Sequence, residues 1–274
     1  MRLPSPPRPK VLLFIPAYNC EHQLKRVLNA VAKDAAIFKE VLIVDNGSTD
    51  GSVQAVIKAA SQIPTAFTLV QNRQNLNLGG SHKVAFRYAI ENGFDFLVVL
   101  HGDDQADIKD VLPLLKNIEV DTAADCWLGS RFMRGSRLHG YSSIRTLGNW
   151  FFNGLFSFVT GRWISDLGSG LNVYSVRSLA SAHWTGFKNN LTFNYFLTLA
   201  YAHWRWNCTF FPITWRETDQ VSNVRAFRQV REMLVLLFHY IFNKSWIFTQ
   251  NHDAIGPDGY EANVTFRHST PKPE

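Results

Sequence analysis

The sequence is poor in cysteine and has no long hydrophobic run. Its three cysteines among 274 residues form neither a CxxC pair nor a Cys/His pattern typical of a zinc site; they are Cys20, Cys126 and Cys208. We therefore predict reduced, buried thiols in a cytosolic protein. The most apolar stretch, MLVLLFHYIF at 233–242, is about half as long as the ~20 residues that cross a bilayer. We predict no membrane-spanning helix.

Two phosphate-binding signatures are also absent. The sequence contains no GxGxxG dinucleotide fingerprint and no GxxxxGK[ST] loop, which argues against a dehydrogenase and an NTPase. The net charge of +6 favours an anionic partner. Because the basic residues are scattered rather than arranged as a stripe with interleaved aromatic rings, we predict no nucleic acid partner.

The first half contains a regular alternation of apolar runs and helical patterns. VLLFIPAYN, EVLIVDNGSTD, AFTLVQN and DFLVVLHGDD are typical of buried strands, and segments with helical spacing separate them. This alternation predicts an α/β fold, an open and mostly parallel twisted sheet with helices on both faces. Such sheets bind ligands at the carboxyl ends of their strands. The polar segments PAYN, DNGSTDG and HGDDQ stand at those ends.

Each polar segment has a structural and a functional interpretation. DNGSTDG is either a capped strand-to-helix turn or the place where Asp45 contacts a nucleobase or ribose. NLNLGGSHK at 75–83 is either a glycine-rich loop or an anion site, in which helix N–H groups and Lys83 bind phosphate. A helix cap explains one carboxylate of HGDDQ. Bound Mg²⁺ or Mn²⁺ explains the cluster, because such ions take one or two carboxylates together with diphosphate and water.

Six motifs occur in the order PAYN, VDNGSTDG, NLG, DDQ, GSRF and DLGSGL. In this order they resemble glycosyltransferase family 2, and most closely its dolichyl-phosphate mannosyltransferase and polyprenyl-phosphate glycosyltransferase branch. The likeness covers roughly residues 10–225. It implies a GT-A fold with a Rossmann-like nucleotide-sugar half over 10–105 and an acceptor half over 106–225. The implied activity is an inverting, Mg²⁺- or Mn²⁺-dependent transfer from a nucleotide-diphosphate sugar to a polyprenyl phosphate or a growing cell-surface glycan.

The resemblance implies a nucleotide-sugar site at the first strand ends. Its predicted residues are Pro16, Ala17, Tyr18, Asn19, Asp45, Asn46, Gly47, Asn77, Gly79, Lys83, Gly102, Asp103 and Asp104. Asp103 matches the second acid of the family's Asp-x-Asp metal motif and is predicted to be catalytic. His101 stands where the first acid is expected. Imidazole binds Mn²⁺ but suits Mg²⁺ poorly, so His101 either binds the metal or hydrogen-bonds the diphosphate or ribose.

The later motifs imply an acceptor site. Asp166 of DLGSGL is the candidate base or acceptor-positioning acid, and a loop Asp that fixes its own turn is the alternative. The residues predicted to bind acceptor or phosphate are Gln105, Arg131, Arg145, Ser169, Arg216 and Ser222. The alternative for Arg131 and Arg145 is that they are solvated arginines on the surface. An ionised phosphate acceptor needs little base, whereas a hydroxyl acceptor makes Asp166 essential.

Two aromatic-rich helices at 147–159 and 233–242 also have two interpretations. They are core or dimer helices, or they lie in a membrane interface with Trp and Phe pointing inward. We predict a flexible leader over 1–9, an amphipathic helix over 226–250 and a loose tail over 251–274. We expect a cytoplasmic enzyme, peripheral on the inner membrane face. The alternative, favoured by His101, is a non-catalytic nucleotide-sugar-binding relative that acts as a sensor or assembly partner.

Overall fold

The structure is a computed structural model, and it describes residues 8–120, 122–219, 226–253, 255 and 259–269. Ser222 lies outside these residues. The strands are β1 (Val11–Ala17), β2 (Glu40–Asp45), β3 (Ala66–Asn72), β4 (Phe96–Leu100), β5 (Cys126–Ser130), β6 (Arg137–His139), β7 (Leu171–Ser175), β8 (Cys208–Pro212), β9 (Thr214–Arg216) and β10 (Ala262–His268). The helices are α1 (Glu21–Ala32), α2 (Ser52–Ala60), α3 (Asn77–Glu91), α4 (Leu112–Asn117), α5 (Ser143–Thr160), α6 (Val176–Ala180), α7 (Phe193–His203), α8 (Ala226–Phe242) and α9 (Lys244–Phe248).

One eight-stranded sheet runs through the described part of the chain, in the order β10-β3-β2-β1-β4-β7-β5-β8. Strands β1 to β4 are parallel to one another, and every residue of β1 is buried. Apolar side chains cover both faces of such a strand because helices pack on both sides of the sheet. Two hydrophobic clusters fill these two layers. The predicted alternation of strands and helices is confirmed.

The carboxyl ends of β1, β2 and β4 meet at one edge of the sheet. Strand β7 is antiparallel to β4 and to β5, so the loop before β7 and the end of β5 lie at this same edge. The N–H of His101, just past β4, donates to the carbonyl of Gly170, just before β7, at 2.9 Å. The topology therefore gathers the motifs of both halves of the chain at one place.

The end of the chain differs from its prediction. Strand β10 pairs antiparallel with β3, and His268 stacks on Phe67 of β3 with ring centroids 5.9 Å apart. The prediction of a loose tail over 251–274 is therefore wrong for 262–268. The edge of β3 offers unpaired backbone groups, and the last strand satisfies them.

The cysteine prediction is also corrected. Cys126 of β5 and Cys208 of β8 occupy directly paired positions on neighbouring strands. Their sulfurs are bonded, with Cα atoms 4.8 Å apart, so these two thiols are not reduced. Their sequence separation of 82 means that no local pattern predicts the pairing. Cys20 is a buried free thiol as predicted, and burial raises its pKa to about 12.

The aromatic helices α5 and α8 contact each other, and each turns only part of its apolar surface to the core. Phe156 of α5 is fully buried, as are most apolar residues of one side of α8. Other large apolar side chains of these two helices and of the loop after α5 are exposed, and we call the following set the apolar face: Ile144, Leu147, Trp150, Phe151, Phe158, Trp163, Phe227, Leu234, Phe238, Ile241 and Phe242. Within the described ranges, none of the helices is both long enough and apolar enough to cross a membrane.

Candidate active site

Asp45 ends β2 at the carboxyl edge and is almost completely buried. Its Oδ2 accepts hydrogen bonds from the N–H groups of Gly47 and Ser48, both at 3.2 Å, and from Gln71 at 3.1 Å. Its Oδ1 is buried and has no hydrogen-bond partner among the described residues. A buried carboxylate oxygen without a donor is costly, so this atom is suited to accept from a bound base or ribose.

Tyr18 and Asn19 follow β1 beside Asp45. Asn19 has a φ of 47°, and its side-chain oxygen accepts from the N–H of Thr49 at 2.8 Å. This bond links the PAYN and DNGSTDG segments, since Ser48 accepts from the N–H of Asn19 in return. Tyr18 is 48% exposed at the rim of the strand ends, where its ring is accessible to a ligand.

Several residues that were predicted to bind the nucleotide instead form contacts within the protein. Asn46 is buried, and its side-chain oxygen accepts from Asn72 and from the N–H of Leu76, both at 2.8 Å. Gly47 has a φ of +81°, which a side chain would strain. The carbonyls of Pro16 and Ala17 accept from Gly102 and Asn46 at 3.1 and 2.9 Å. These residues hold the strand ends together, and Asn77, also with positive φ, is exposed at the start of α3.

Lys83 does not point to the strand-end edge. It is fully buried in α3; its Nζ donates to the carbonyl of Phe187 and, at 2.9 Å, to the hydroxyl of Tyr260. Burial lowers its pKa to about 7. The predicted contact of Lys83 with phosphate is therefore wrong, because the helix turns this position to the core. Gly79 is also a packing residue, since a Cβ there would lie 2.6 Å from the side chain of Phe193.

His101 and Asp103 come together just past β4. The Nδ1 of His101 lies 3.9 Å from the Oδ2 of Asp103, and its Nε2 is buried with no partner in the described chain. Burial, with a smaller contribution from the positive Arg131, lowers the pKa of His101 to about 4. Burial raises the pKa of Asp103 to about 6. At neutral pH the imidazole is therefore uncharged and the carboxylate mostly ionised, the states that metal binding requires.

Glycines make room for this pair. A Cβ at Gly170 would come within 2.9 Å of the His101 ring, and one at Gly102 within 2.9 Å of the Pro16 carbonyl. Asp104, by contrast, turns aside with a φ of 60° and forms an ion pair with Arg26 at 2.5 Å. Its predicted nucleotide contact is not supported, because Arg26 occupies its carboxylate. Gln105 uses its carbonyl to accept from the N–H of Arg216 at 2.8 Å.

The chemistry of His101 and Asp103 fits a divalent cation. No cluster of three or more His, Cys, Asp or Glu side chains with metal-binding geometry occurs in the described residues. Two adjacent donors, one nitrogen and one carboxylate, nevertheless match an ion that takes its remaining ligands from a diphosphate and water. A nitrogen donor favours Mn²⁺ over Mg²⁺.

Arg131 and Asp166 form a closed ion pair at the end of β5. Asp166 accepts from Arg131 through the backbone N–H at 2.9 Å, Nε at 2.8 Å and Nη2 at 2.7 Å, and from the N–H of Gly168 at 3.1 Å. Both side chains are buried, and the carboxylate raises the pKa of Arg131 further above its usual value against the opposing effect of burial. Asp166 is therefore not available as a base, which corrects that prediction, and Arg131 is not a solvated surface residue.

Aromatic rings surround the Arg131 guanidinium. Its central carbon lies 5.0 Å from the ring centroids of Phe132 and Trp215 and 5.6 Å from that of Tyr141. The indole N–H of Trp215 is buried with no acceptor in the described part of the chain. Sequence reasoning missed Tyr141 and Trp215, and no local motif marks them. Their role arises only when β6 and β9 pair beside the end of β5.

The other predicted acceptor residues are already paired. Arg145 binds Glu217 at 2.6 Å, and Arg216 binds Asp107 at 2.7 Å. Ser169 is buried and donates to the carbonyl of Leu171 at 3.2 Å. The prediction that Ser169 binds phosphate is therefore wrong, because its hydroxyl stabilises its own loop. Arg145 and Arg216 are both more than one-third exposed.

Comparison with known proteins identifies the family to which the chain belongs. Residues 13–181 match the model of Glycosyl transferase family 2. An undecaprenyl-phosphate mannosyltransferase of Micrococcus luteus is 27% identical over 62% of this chain and 68% of its own length. A polyprenol monophosphomannose synthase of Mycolicibacterium smegmatis is 26% identical over 61% of this chain and 62% of its own length.

A solved structure supports the fold. A mannosyltransferase from Pyrobaculum calidifontis, in complex with GDP-Man and Mn²⁺, superposes with a TM-score of 0.56 and 19% identity, and it covers 93% of this chain and 67% of its own. This likeness concerns the architecture alone. The predicted GT-A type α/β fold and the predicted resemblance to the polyprenyl-phosphate branch are confirmed.

Proposed function

The chain belongs to glycosyl transferase family 2, and from that premise we propose that it moves a sugar from a nucleotide-diphosphate sugar to a polyprenyl phosphate with inversion at the anomeric carbon. The observation that carries the choice of acceptor is the closed pair of Asp166 and Arg131. An acceptor hydroxyl needs a base, whereas a phosphate oxygen is already ionised near neutral pH. A site in which the candidate base, Asp166, is bound by an arginine suits the phosphate.

The donor binds along the ends of β1, β2 and β4. Tyr18 contacts the base or ribose, and Asp45 accepts from it through its unpartnered Oδ1. The diphosphate then lies at the end of β4, beside His101 and Asp103. This arrangement follows the rule that ligands of open α/β sheets bind where the parallel strands end.

Asp103 and His101 hold the divalent cation in this proposal, and Mn²⁺ is preferred to Mg²⁺ because of the imidazole nitrogen. When bound, the ion offsets negative charge on the departing nucleoside diphosphate. Gly170 positions His101 in two ways. Its carbonyl accepts from the backbone N–H of His101, and its lack of a Cβ leaves room for the imidazole ring.

Arg131 and Trp215 receive the acceptor phosphate. Asp166 fixes Nε and Nη2 of the guanidinium, which leaves Nη1 with a long 3.4 Å contact to the Tyr141 hydroxyl. The indole N–H of Trp215 is a second donor beside it. Charge-assisted donors of this kind bind phosphate oxygens well, and Asp166 acts as a positioning residue rather than as a base.

The apolar face brings the protein to the bilayer that carries such a lipid. Its side chains are between 48% and 95% exposed, and soluble surfaces rarely gather so many large apolar residues. Aromatic rings with nearby basic residues, here Arg162 and Lys244, are typical of helices that lie in a membrane interface. We therefore place this enzyme at the membrane surface, with α5 and α8 toward the lipid.

The test is a transfer assay with a panel of UDP-, GDP- and CDP-sugars, polyprenyl phosphate in vesicles, and Mn²⁺ or Mg²⁺. We expect one nucleotide to support metal-dependent formation of a glycosyl polyprenyl phosphate. His101 in place of an acid favours a second candidate, a sensor. Tight nucleotide-sugar binding without hydrolysis or transfer under every condition would support the sensor and contradict the enzyme.

A further inference from the structure

A groove separate from the strand-end site lies between α7, α8 and α9. Its volume is about 460 Å³, within the usual range for small-molecule pockets. Its polar wall is formed by Lys188, Arg228, Arg231 and Glu232, and its apolar wall includes Phe196 and Trp246. Asp103, His101 and Arg131 do not line it.

The charge of this groove favours an anion. Glu232 pairs with Arg228 at 3.1 Å, which balances one of the three cations. Within the described ranges, neither Arg231 nor Lys188 has an acidic side chain within ion-pair distance. Two uncompensated cations above an apolar wall match a phosphate group that is attached to a hydrocarbon chain.

The groove also adjoins the apolar face. Arg231 precedes Leu234 by three residues and Phe238 by seven, so these side chains lie along the same side of α8. Arg228 and Val235 are likewise separated by seven residues and both line the groove. Helix α8 therefore places cations directly beside exposed apolar side chains, and a lipid with its phosphate in the groove could lay its chains on the apolar face.

We propose that this groove binds the headgroup phosphate of an anionic phospholipid and so fixes the orientation of the protein on the bilayer. The inference rests on the membrane contact of the proposed function. A bulk phospholipid fits better than the acceptor lipid, because the groove contains none of the residues at the strand ends where transfer takes place.

The experiment is vesicle flotation of the full chain with three lipid mixtures: phosphatidylcholine alone, phosphatidylcholine with phosphatidylglycerol, and phosphatidylcholine with a trace of polyprenyl phosphate too dilute to charge the surface. The test variant is Lys188→Gln/Arg231→Gln, which removes the two cations of the groove that have no acidic partner in the described ranges. We expect its partition onto phosphatidylglycerol vesicles to fall about thirtyfold, since each basic residue near an anionic surface contributes roughly fivefold. Binding to the other two mixtures should not change.

Lys33→Gln/Lys58→Gln is the matched control, because it removes the same charge from exposed positions on the α1 and α2 side of the sheet. An equal fall in this control, or no fall in the test variant, would overturn the proposal. A fall confined to the polyprenyl phosphate vesicles would also overturn it and assign the groove to the acceptor. Thermal unfolding of each variant checks that the fold is intact.

Two further readouts separate this inference from the proposed function. Phe238→Ser/Phe242→Ser tests the apolar face itself, and it should lower binding to all three mixtures. If it does so while Lys188→Gln/Arg231→Gln floats like the unmodified protein, the groove assignment alone fails. If the unmodified protein floats but transfers no sugar to polyprenyl phosphate with any donor, the proposed function fails and the groove result is unaffected.

Discussion

The two parts of the strand-end site, where donor and acceptor are proposed to bind, differ in which buried polar groups lack a hydrogen-bond partner. In the donor half, the Oδ1 of Asp45 and the Nε2 of His101 are buried with no partner among the described residues. In the acceptor half, both oxygens of Asp166 accept from Arg131, and the indole N–H of Trp215, beside the guanidinium, is a buried donor with no acceptor among the described residues. A carboxylate oxygen without a donor suits a base or ribose, whereas a free donor beside a guanidinium suits an anion.

In the proposed function, this difference separates groups that contact the substrate from groups that position others. The donor half supplies groups that contact the nucleotide sugar directly. In the acceptor half the buried Asp166 fixes Arg131, and the acceptor supplies its own negative charge. Four predictions test this division, from the largest expected effect to the smallest.

Asp166→Asn should destabilise the protein by about 3–5 kcal/mol, because it leaves Arg131 as a buried cation without its counter-charge. The measurement is the free energy of unfolding from urea denaturation. Glu217→Gln is the control, since it breaks the ion pair with Arg145 at a more exposed position and should cost less than about 1 kcal/mol. Equal losses in the two variants would contradict the description of Arg131 and Asp166 as a buried ion pair.

Asp103→Ala should lower the rate of transfer about 10²–10³-fold, the effect of removing a principal electrostatic contact to the departing group. Steady-state kinetics with saturating Mn²⁺ measure it. Asp104→Asn is the neighbouring control, because Asp104 pairs with Arg26 and should change the rate only a few-fold. A rate for Asp103→Ala within a few-fold of the unmodified enzyme would contradict the proposed role of Asp103 at the diphosphate.

Lys83 is buried in the core and does not reach the donor part of the site. Burial lowers its pKa to about 7, whereas in the unfolded chain the ammonium keeps its proton up to about pH 10.4. The unfolded state therefore binds more protons between these values, and stability rises with pH there. From pH 7 to 9 the unmodified protein should gain about 2 kcal/mol more than Lys83→Met.

Urea denaturation at the two pH values measures this gain, with the exposed Lys39→Met as a control that keeps the pH dependence. An unchanged pH dependence in Lys83→Met would show that the ammonium is solvated. A loss of nucleotide-sugar affinity without any change in stability would return Lys83 to the phosphate site.

His101→Asp should shift the metal preference about tenfold from Mn²⁺ toward Mg²⁺, since a carboxylate suits the harder ion. The measurement is the ratio of transfer rates with the two ions, each at saturation. The smaller Asp side chain does not crowd Gly170. His139→Asp, at an exposed position, should leave the ratio unchanged, and the same ratio in both variants would remove His101 from the metal site.

The position of Asp45, His101 and Asp103 at one edge of the sheet was predictable from sequence, because these residues are contiguous with the strands that carry them. Asp45, His101 and Asp103 follow apolar runs directly, and parallel strands must end at one edge. The acceptor half was predicted only in part. DLGSGL and GSRF marked Asp166 and Arg131, but their 35-residue separation gave no sign that the two would neutralise each other.

The remaining misses have the same physical origin. Arg26 meets Asp104 across 78 residues, and Cys126 meets Cys208 across 82. For α5 the sequence left two interpretations open, because helical spacing identifies a stripe but not what covers it. Pairings of this kind depend on strand order, which local patterns do not encode.

The central claim is that the acceptor arrives ionised and needs no base from the protein. The most direct measurement compares sugar transfer to a polyprenyl phosphate and to the polyprenol of the same chain length, in the same vesicles and with the same donor. We expect product with the phosphate and none above background with the alcohol. Transfer to the alcohol at a comparable rate would contradict the account, because it would require a base that the buried Asp166 cannot supply.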